Sequence, residues 1–126
     1  MNKRILSILV ENTAGVLSRV SGLFSRRGYN IDSLSAGITT DPNYTRMTVV
    51  CKGDELILEQ ITRQVEKLED VLSVKVLQDG QSVTRELMLV KVKVTPEQRA
   101  GVSAIVDIFR ANIIDVGKES MIIELT

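Results

Sequence analysis

The hydrophobic period of this chain changes at Asn12-Thr13, and that switch limits what the chain can fold into more than any other feature does. Upstream, Arg4-Ile5-Leu6-Ser7-Ile8-Leu9-Val10 is an apolar run of strand length. Downstream, Val16, Leu17, Val20, Leu23, Phe24 and Arg27 recur at helical spacing. The pattern predicts a strand over 3–11 and a helix over 14–27, and it continues as strands over 30–39 and 44–52, a helix over 54–69 and a strand over 71–79. This is βαββαβ. Asp41-Pro42-Asn43 is a turn signal that makes the two middle strands a hairpin. In the second helix Leu58, Ile61, Val65 and Leu68 form the expected buried stripe, and Glu59 and Arg63 can pair at i, i+4 on the wet face. Two right-handed βαβ crossovers sharing one sheet give an α+β, ferredoxin-like sandwich with both helices on one face.

Residues 80–84, Gly-Gln-Ser-Val-Thr, read as a linker, and a second unit follows over 85–126. Leu87, Leu89, Lys91 and Lys93 alternate against Met88, Val90, Val92 and Val94, which predicts a strand over 85–94. Thr95 can cap a helix that opens with Pro96 and Glu97, runs to about residue 112, and buries Val102, Ile105, Val106 and Phe109. Met121-Ile122-Ile123-Glu124-Leu125 makes one more strand. The expectation is a βαβ half of a second ferredoxin-like domain, which buries too little apolar surface to be comfortable alone.

The joint at residues 12–17 has chemistry beyond its geometry. Asn12 or Thr13 can accept from the free N–H groups of the helix's first turn, and Gly15 lets a second backbone come close. An exposed helix N-terminus with no bulk near it suits a carboxylate. The same residues also suit an ordinary strand-to-helix turn. On the helix itself Gly15, Ser18, Gly22 and Ser25 share one narrow face, almost opposite the expected buried stripe of Leu17, Val20 and Phe24. A central glycine costs about 1 kcal/mol against alanine. Gly22 therefore suits a helix packed closely against another, as in a dimer, or is incidental on a wet face.

Composition removes whole classes of function. There is no histidine, so Ser-His-Asp and Cys-His nucleophilic catalysis and every His-containing metal site are excluded. The single cysteine, Cys51, lies in an apolar run; it cannot build a zinc cluster or an internal disulfide and reads as a small core residue. No glycine-rich phosphate loop is present, and the acidic pairs Asp54-Glu55 and Glu69-Asp70 read as solvated helix ends. Basic and acidic residues number 16 each, ten of each sign falling before residue 80, so no region has the basic excess of a nucleic-acid surface. No apolar run approaches the roughly 20 residues of a membrane span, and the N-terminus lacks a signal-peptide pattern, which makes the cytoplasm the expected compartment.

Taken together, Glu11-Asn12-x-x-Gly15-x-Leu17-x-Arg19-Val20-x-Gly22-Leu23-Phe24-x-x-Arg27-Gly28-Tyr29-Asn30-Ile31-x-Ser33-Leu34 closely resembles the small, regulatory subunits of acetohydroxyacid (acetolactate) synthase, which begin with an ACT domain. The resemblance continues through Asp41-Pro42, Arg46-Met47-Thr48-Val49 and Leu58-Glu59-Gln60-Ile61, and resumes at Arg85-Glu86-Leu87-Met88-Leu89-Val90-Lys91 and Ile113-Ile114-Asp115-Val116. It implies an ACT domain over 1–79, the linker over 80–84 and a partial C-terminal ferredoxin-like domain over 85–126. Family members usually carry a complete second domain, so either this chain is a piece of a longer one or its half-domain completes itself against a partner.

The resemblance implies a non-catalytic subunit that binds a branched-chain amino acid, valine favoured, and activates and feedback-regulates a separate catalytic large subunit. Thiamine diphosphate, magnesium and any FAD would belong to that partner, and none to this chain. In ACT domains the effector usually lies between two copies of the domain. Carried over by motif position, Asn12, Thr13, Ala14, Gly15, Val16 and Leu17 form one half of the effector site, and Asn30, Ile31, Ser33 and Leu34 the other. Backbone N–H groups at 14–17 would take the effector's carboxylate, and the amide oxygens of Asn12 and Asn30 its ammonium. Ser18, Gly22 and Ser25 would form the homodimer contact.

Other functions are compatible with a ferredoxin-like fold. One is a free-standing amino-acid-sensing ACT protein. Single-stranded RNA binding is another, but it calls for aromatics on the central strands, and Arg46-Met47-Thr48-Val49-Val50-Cys51-Lys52 has none. An acylphosphatase-type hydrolase calls for an arginine in the loop after the first strand. Asn12-Thr13-Ala14-Gly15 lacks one, and Arg19 stands more than a helical turn further on.

Overall fold

The computed structural model describes residues 2–126, and the chain divides between Ser82 and Val83 into two compact units. The first contains β1 (Asn2–Glu11), α1 (Val16–Arg27), β2 (Ile31–Ile38), β3 (Tyr44–Gly53), α2 (Glu55–Glu66) and β4 (Val71–Leu77). Its sheet has the order β2-β3-β1-β4 with antiparallel neighbours throughout, the ferredoxin-like arrangement expected of two interleaved crossovers. Alternation along β1 and β3 turns Leu6, Ile8, Val10, Met47, Val49 and Cys51 to one face. There they meet Val16, Val20, Leu23 and Phe24 of α1 and Leu58, Ile61 and Val65 of α2 in one core. Each such side chain contributes roughly 1.5–3 kcal/mol by leaving water.

Local chemistry sets the boundaries. Asp54 caps α2 by accepting from the Ile57 N–H at 2.8 Å, and Glu59 and Arg63 pair at 3.5 Å on its wet face. The turn at Asp41-Pro42-Asn43 is closed by the Asp41 carboxylate, which accepts from the Asn43 N–H at 3.0 Å. α1 ends at Gly28, whose φ of 68° lets its N–H reach Ser25 O while the Tyr29 N–H reaches Phe24 O at 2.9 Å.

Two expectations for α1 need correction. Neither Asn12 nor Thr13 caps the helix: the N-cap is Gly15, left-handed at φ 83°, ψ −1°, with no side-chain cap hydrogen bond, so α1 starts at Val16 rather than 14. Leu17 is not in the buried stripe. The stripe runs through Val16, Val20, Leu23 and Phe24, and Leu17 is exposed.

The second unit contains β5 (Met88–Lys93), a 3-10 turn (Pro96–Gln98), α3 (Arg99–Ile108), β6 (Asn112–Val116) and β7 (Ser120–Leu125). Thr95 and Gln98 form the expected helix entry, the Thr95 N–H donating to Gln98 Oε1 at 2.9 Å. The unit is βαββ, one strand more than the expected βαβ. Its order β5-β7-β6 repeats that of β1-β3-β2 in the first unit. α3 stops four residues early because Arg110 adopts φ 54° and the Ala111 N–H turns back to Val106 O at 3.0 Å. Of the four expected core residues of α3 only Val106 is buried; Ile105 and Phe109 are exposed, and Val102 is intermediate. One helix on three strands leaves an open apolar groove of about 300 Å³ bordered by Val90, Ile105, Phe109 and Ile123.

Candidate functional site

β1 delivers the chain to the hairpin end of the first sheet, where Glu11 stands opposite Tyr44. Asn12 fixes the departure from the strand: its N–H donates to Asn43 O at 2.8 Å, and its Nδ2 to Pro42 O at 2.9 Å. Its Oδ1 accepts from the Thr45 hydroxyl at 3.2 Å, which leaves one lone pair of the amide oxygen. Thr13, Ala14 and Gly15 then turn the chain into α1. The Val16 N–H reaches back to Thr13 O at 3.3 Å, and the helix opens with no acidic residue in its first turn. As at any helix start, the opening N–H groups lack intrahelical acceptors, and no side chain caps them.

Arg19 closes over this loop. Its Nη2 donates to Thr13 Oγ1 at 3.4 Å and to Ala14 O at 3.3 Å, and its Nε is paired with Asp70 Oδ2. Asp70 holds the loop a second way, since its carbonyl accepts from the Glu11 N–H at 2.9 Å. The hydrogen bond to Asp70, reinforced by the charges of Asp70 and Glu69, keeps the guanidinium's pKa above its ordinary value. A Cβ at Gly15 would stand 2.9 Å from Arg19 Nη1. Sequence reading set Arg19 outside the loop, yet a helical side chain leans toward the N-terminus and i+4 lies over i. That spacing from Gly15 was legible. Asp70, 51 residues along the chain, was not.

The second group of expected residues lies elsewhere. Asn30 is exposed, with Nδ2 at 3.4 Å from Asp32 Oδ1. Ile31 pairs with Cys51, and after a bulge at Asp32, Ser33 pairs with Val50 and Leu34 with Val49. Glu11 faces Tyr44 and Ile31 faces Cys51, so seven residues of β3, about 23 Å at ~3.3 Å per residue, separate the two ends. Within one chain the Asn12–Leu17 loop and Asn30 are therefore at opposite ends of the sheet. Ser18 and Ser25 are exposed along α1 between them, and a Cβ on Gly22 would meet only Arg26 Nη1, at 3.4 Å.

Residues 6–73 match the family described as AHAS small subunit-like ACT domain, and residues 85–126 the family described as small subunit of acetolactate synthase. The chain belongs to the acetolactate synthase small-subunit family. It is 50% identical over 121 residues to the acetolactate synthase small subunit of Mycobacterium avium, covering 96% of this chain and 72% of that one. It is 54% identical over 114 residues to the acetolactate synthase isozyme 3 small subunit of Escherichia coli, covering 90% and 70%. The crystal structure of the acetolactate synthase small subunit from Thermotoga maritima superposes with a TM-score of 0.89 at 38% identity, over 99% of this chain and 78% of that one. As an acetolactate synthase small subunit this is a regulatory subunit, and its first unit is the ACT domain of that family. Among the described residues no helix is long and apolar enough to cross a membrane.

Proposed function

We propose that this small subunit senses a branched-chain amino acid, valine favoured, at a site shared by two copies of its ACT domain, and that it activates and feedback-regulates a separate catalytic large subunit in the cytoplasm. The observation that carries the reading is the separation of the two halves of the expected site. β1 and β2 both run antiparallel to β3 and hence parallel to each other. A two-fold axis beside β2 reverses the partner copy, so the Asn12–Leu17 loop of one protomer faces the Asn30 end of the other. The halves that one chain keeps apart are joined by two.

In such a site the effector's carboxylate meets the amides that open α1, and its ammonium meets the free lone pair of Asn12 and the amide oxygen of Asn30. Leu17 and Leu34, both exposed in the single chain, offer apolar surface to an aliphatic side chain. Regulation follows if the arrangement that binds effector differs from the one that supports catalysis, the effector shifting the balance by its difference in affinity. The reaction itself, with thiamine diphosphate, magnesium and any FAD, belongs to the catalytic chain. Calorimetry of the pure protein against valine, leucine and isoleucine tests the sensing role. Synthase assays of the large subunit with and without this chain test activation. Acetolactate formation by the pure small subunit, or saturable binding by a protein that sediments as a monomer, would defeat the reading.

A further inference from the structure

We propose that the open face of the first sheet, the side turned away from α1 and α2, is the surface on which this chain docks an acidic stretch of the catalytic large subunit, with Arg46, Lys75 and the Ser7 hydroxyl seating its carboxylates. This rests on the regulatory reading above and deepens it by naming the surface through which the two chains meet.

Strand alternation sorts the charges of this unit. Residues 1–79 carry ten of each sign, but the pleat turns Lys3, Arg46, Lys52 and Lys75 to the open face, against Glu11 at one corner and Asp32 at the bulge of β2. Three arginines on the helix side have carboxylate partners, Arg4 with Glu55, Arg19 with Asp70 and Arg63 with Glu59. On the open face only Lys52 has one, Asp32 at 3.1 Å; Lys3, Arg46 and Lys75 form no ion pair among the described residues. Ser35, Thr48, Ser7 and Lys75 stand in register across β2, β3, β1 and β4. Ser7 is the one polar residue buried among the described residues, at 8% exposure. Its Oγ accepts from Arg46 Nη1 at 2.8 Å, and its own O–H has no acceptor among the described residues. Arg46 makes no other hydrogen bond there, so Nε and Nη2, two parallel donors that fit a carboxylate, are unspent. An acidic side chain brought to this place finds guanidinium, hydroxyl and, about 5 Å across the strand spacing, ammonium donors. Shape then selects the occupant. Ser33, Ser35, Gly37 and Ser73 are exposed on the flanking strands, so no wall encloses a small ion, which would stay in water. A protein surface laid across the four strands excludes that water and strengthens each charge pair. Ile5, Leu9, Val50 and Leu77, half-buried among the cations, give it apolar contact, whereas single-stranded RNA calls for the aromatics that Arg46–Lys52 lacks.

The test is binding of the purified catalytic large subunit to the whole chain, read by sedimentation velocity rather than by activity, at low and at high salt. Binding of the unaltered chain is expected to weaken as salt screens the face. Arg46→Glu and Lys75→Glu are each expected to lower affinity for the large subunit by about tenfold or more, with urea midpoints near that of the unaltered chain. Lys75 is exposed on an edge strand, so its variant answers the question even if Arg46→Glu disturbs Ser7. Lys67→Glu, which reverses an exposed charge at the end of α2, is expected to leave affinity unchanged. Unaltered affinity in both open-face variants, or an equal loss in Lys67→Glu, would overturn the proposal. So would saturable binding of inorganic phosphate that Arg46→Glu abolishes while large-subunit affinity holds, which assigns the face to a free anion. A change in self-association in place of partner affinity would overturn it too, making the face an interface between copies. Failure of the unaltered chain to bind the large subunit would instead bring down the regulatory reading, and this proposal with it.

Discussion

Gly15 holds a left-handed backbone at φ 83°, which any residue with a Cβ adopts only under strain, whereas the Arg19 Nη1 that a Cβ would meet at 2.9 Å is the end of a flexible side chain that can move aside. Replacing it with aspartate strains the turn and, in the proposed site, places a carboxylate where the effector's own would lie. Asn30→Ala would remove the proposed acceptor for the effector's ammonium, at a cost of about 1.5–3 kcal/mol if that bond is charge-assisted. Both variants are expected to fold, to bind the catalytic chain and to lose feedback inhibition by branched-chain amino acids. Inhibition assays on the reconstituted synthase check this, and wild-type sensitivity in both would remove the Asn12–Gly15 loop and Asn30 from the site. Cys51 makes a different kind of prediction. Burial raises its thiol pKa, against a smaller opposing effect of Arg4, and its Sγ lies 3.6 Å from Arg4 O. The folded thiol keeps its proton to higher pH than the unfolded one. Its contribution to stability is thus complete below the ordinary thiol range and is lost as pH rises through the folded value. Urea midpoints measured from neutral to alkaline pH should fall more steeply for the unaltered protein than for Cys51→Ala, and parallel curves would show that the thiol does not titrate on unfolding.

At the scale of elements, α3 shows what pattern alone does not settle. Val102, Ile105, Val106 and Phe109 have the spacing of a buried stripe, but only Val106 is buried. Val106→Ala should cost about 2 kcal/mol, whereas Ile105→Ala should cost less than about 1 kcal/mol, because its side chain is already more than half in water. Chemical denaturation of the two variants checks the order. The elements of the first unit were legible to within three residues at every boundary, since β1, β3, α1 and α2 bury one face cleanly and Asp54, Gly28 and Asp41 mark their ends with specific hydrogen bonds. β6 was not legible. Its five residues are all exposed, and a register shift between Ile113 and Asp115 breaks the alternation a reader looks for. Nor was the end of α3, where the left-handed position falls to Arg110, which carries none of glycine's signal. α1 poses a test of its own. A leucine at Gly22 finds open space in the single chain apart from Arg26, so Gly22→Leu should leave the monomer folded. If α1 packs on its twin, the same change should weaken the dimer by roughly 1–3 kcal/mol through overpacking. Sedimentation equilibrium of both proteins separates the two effects.

For the molecule as a whole, the resemblance named both halves of the proposed effector site, and the βαβ reading, which makes β1 and β2 parallel, already put the end of β1 and the start of β2 at opposite ends of one sheet. The structure adds the register, with Glu11 opposite Tyr44 and Ile31 opposite Cys51 on the strand between them. That separation gives the proposed sensor a genetic character. If each site takes its loop from one protomer and its Asn30 from the other, two defective alleles can repair each other. A dimer of one Gly15→Asp chain and one Asn30→Ala chain has one site with both lesions and one with neither. Unfolding and refolding an equal mixture should therefore restore roughly a quarter of all sites by random pairing. Calorimetric stoichiometry would measure that fraction directly. If each site were contained in one chain, the mixture would stay as inert as its components, and a cell carrying both alleles would gain nothing from having two.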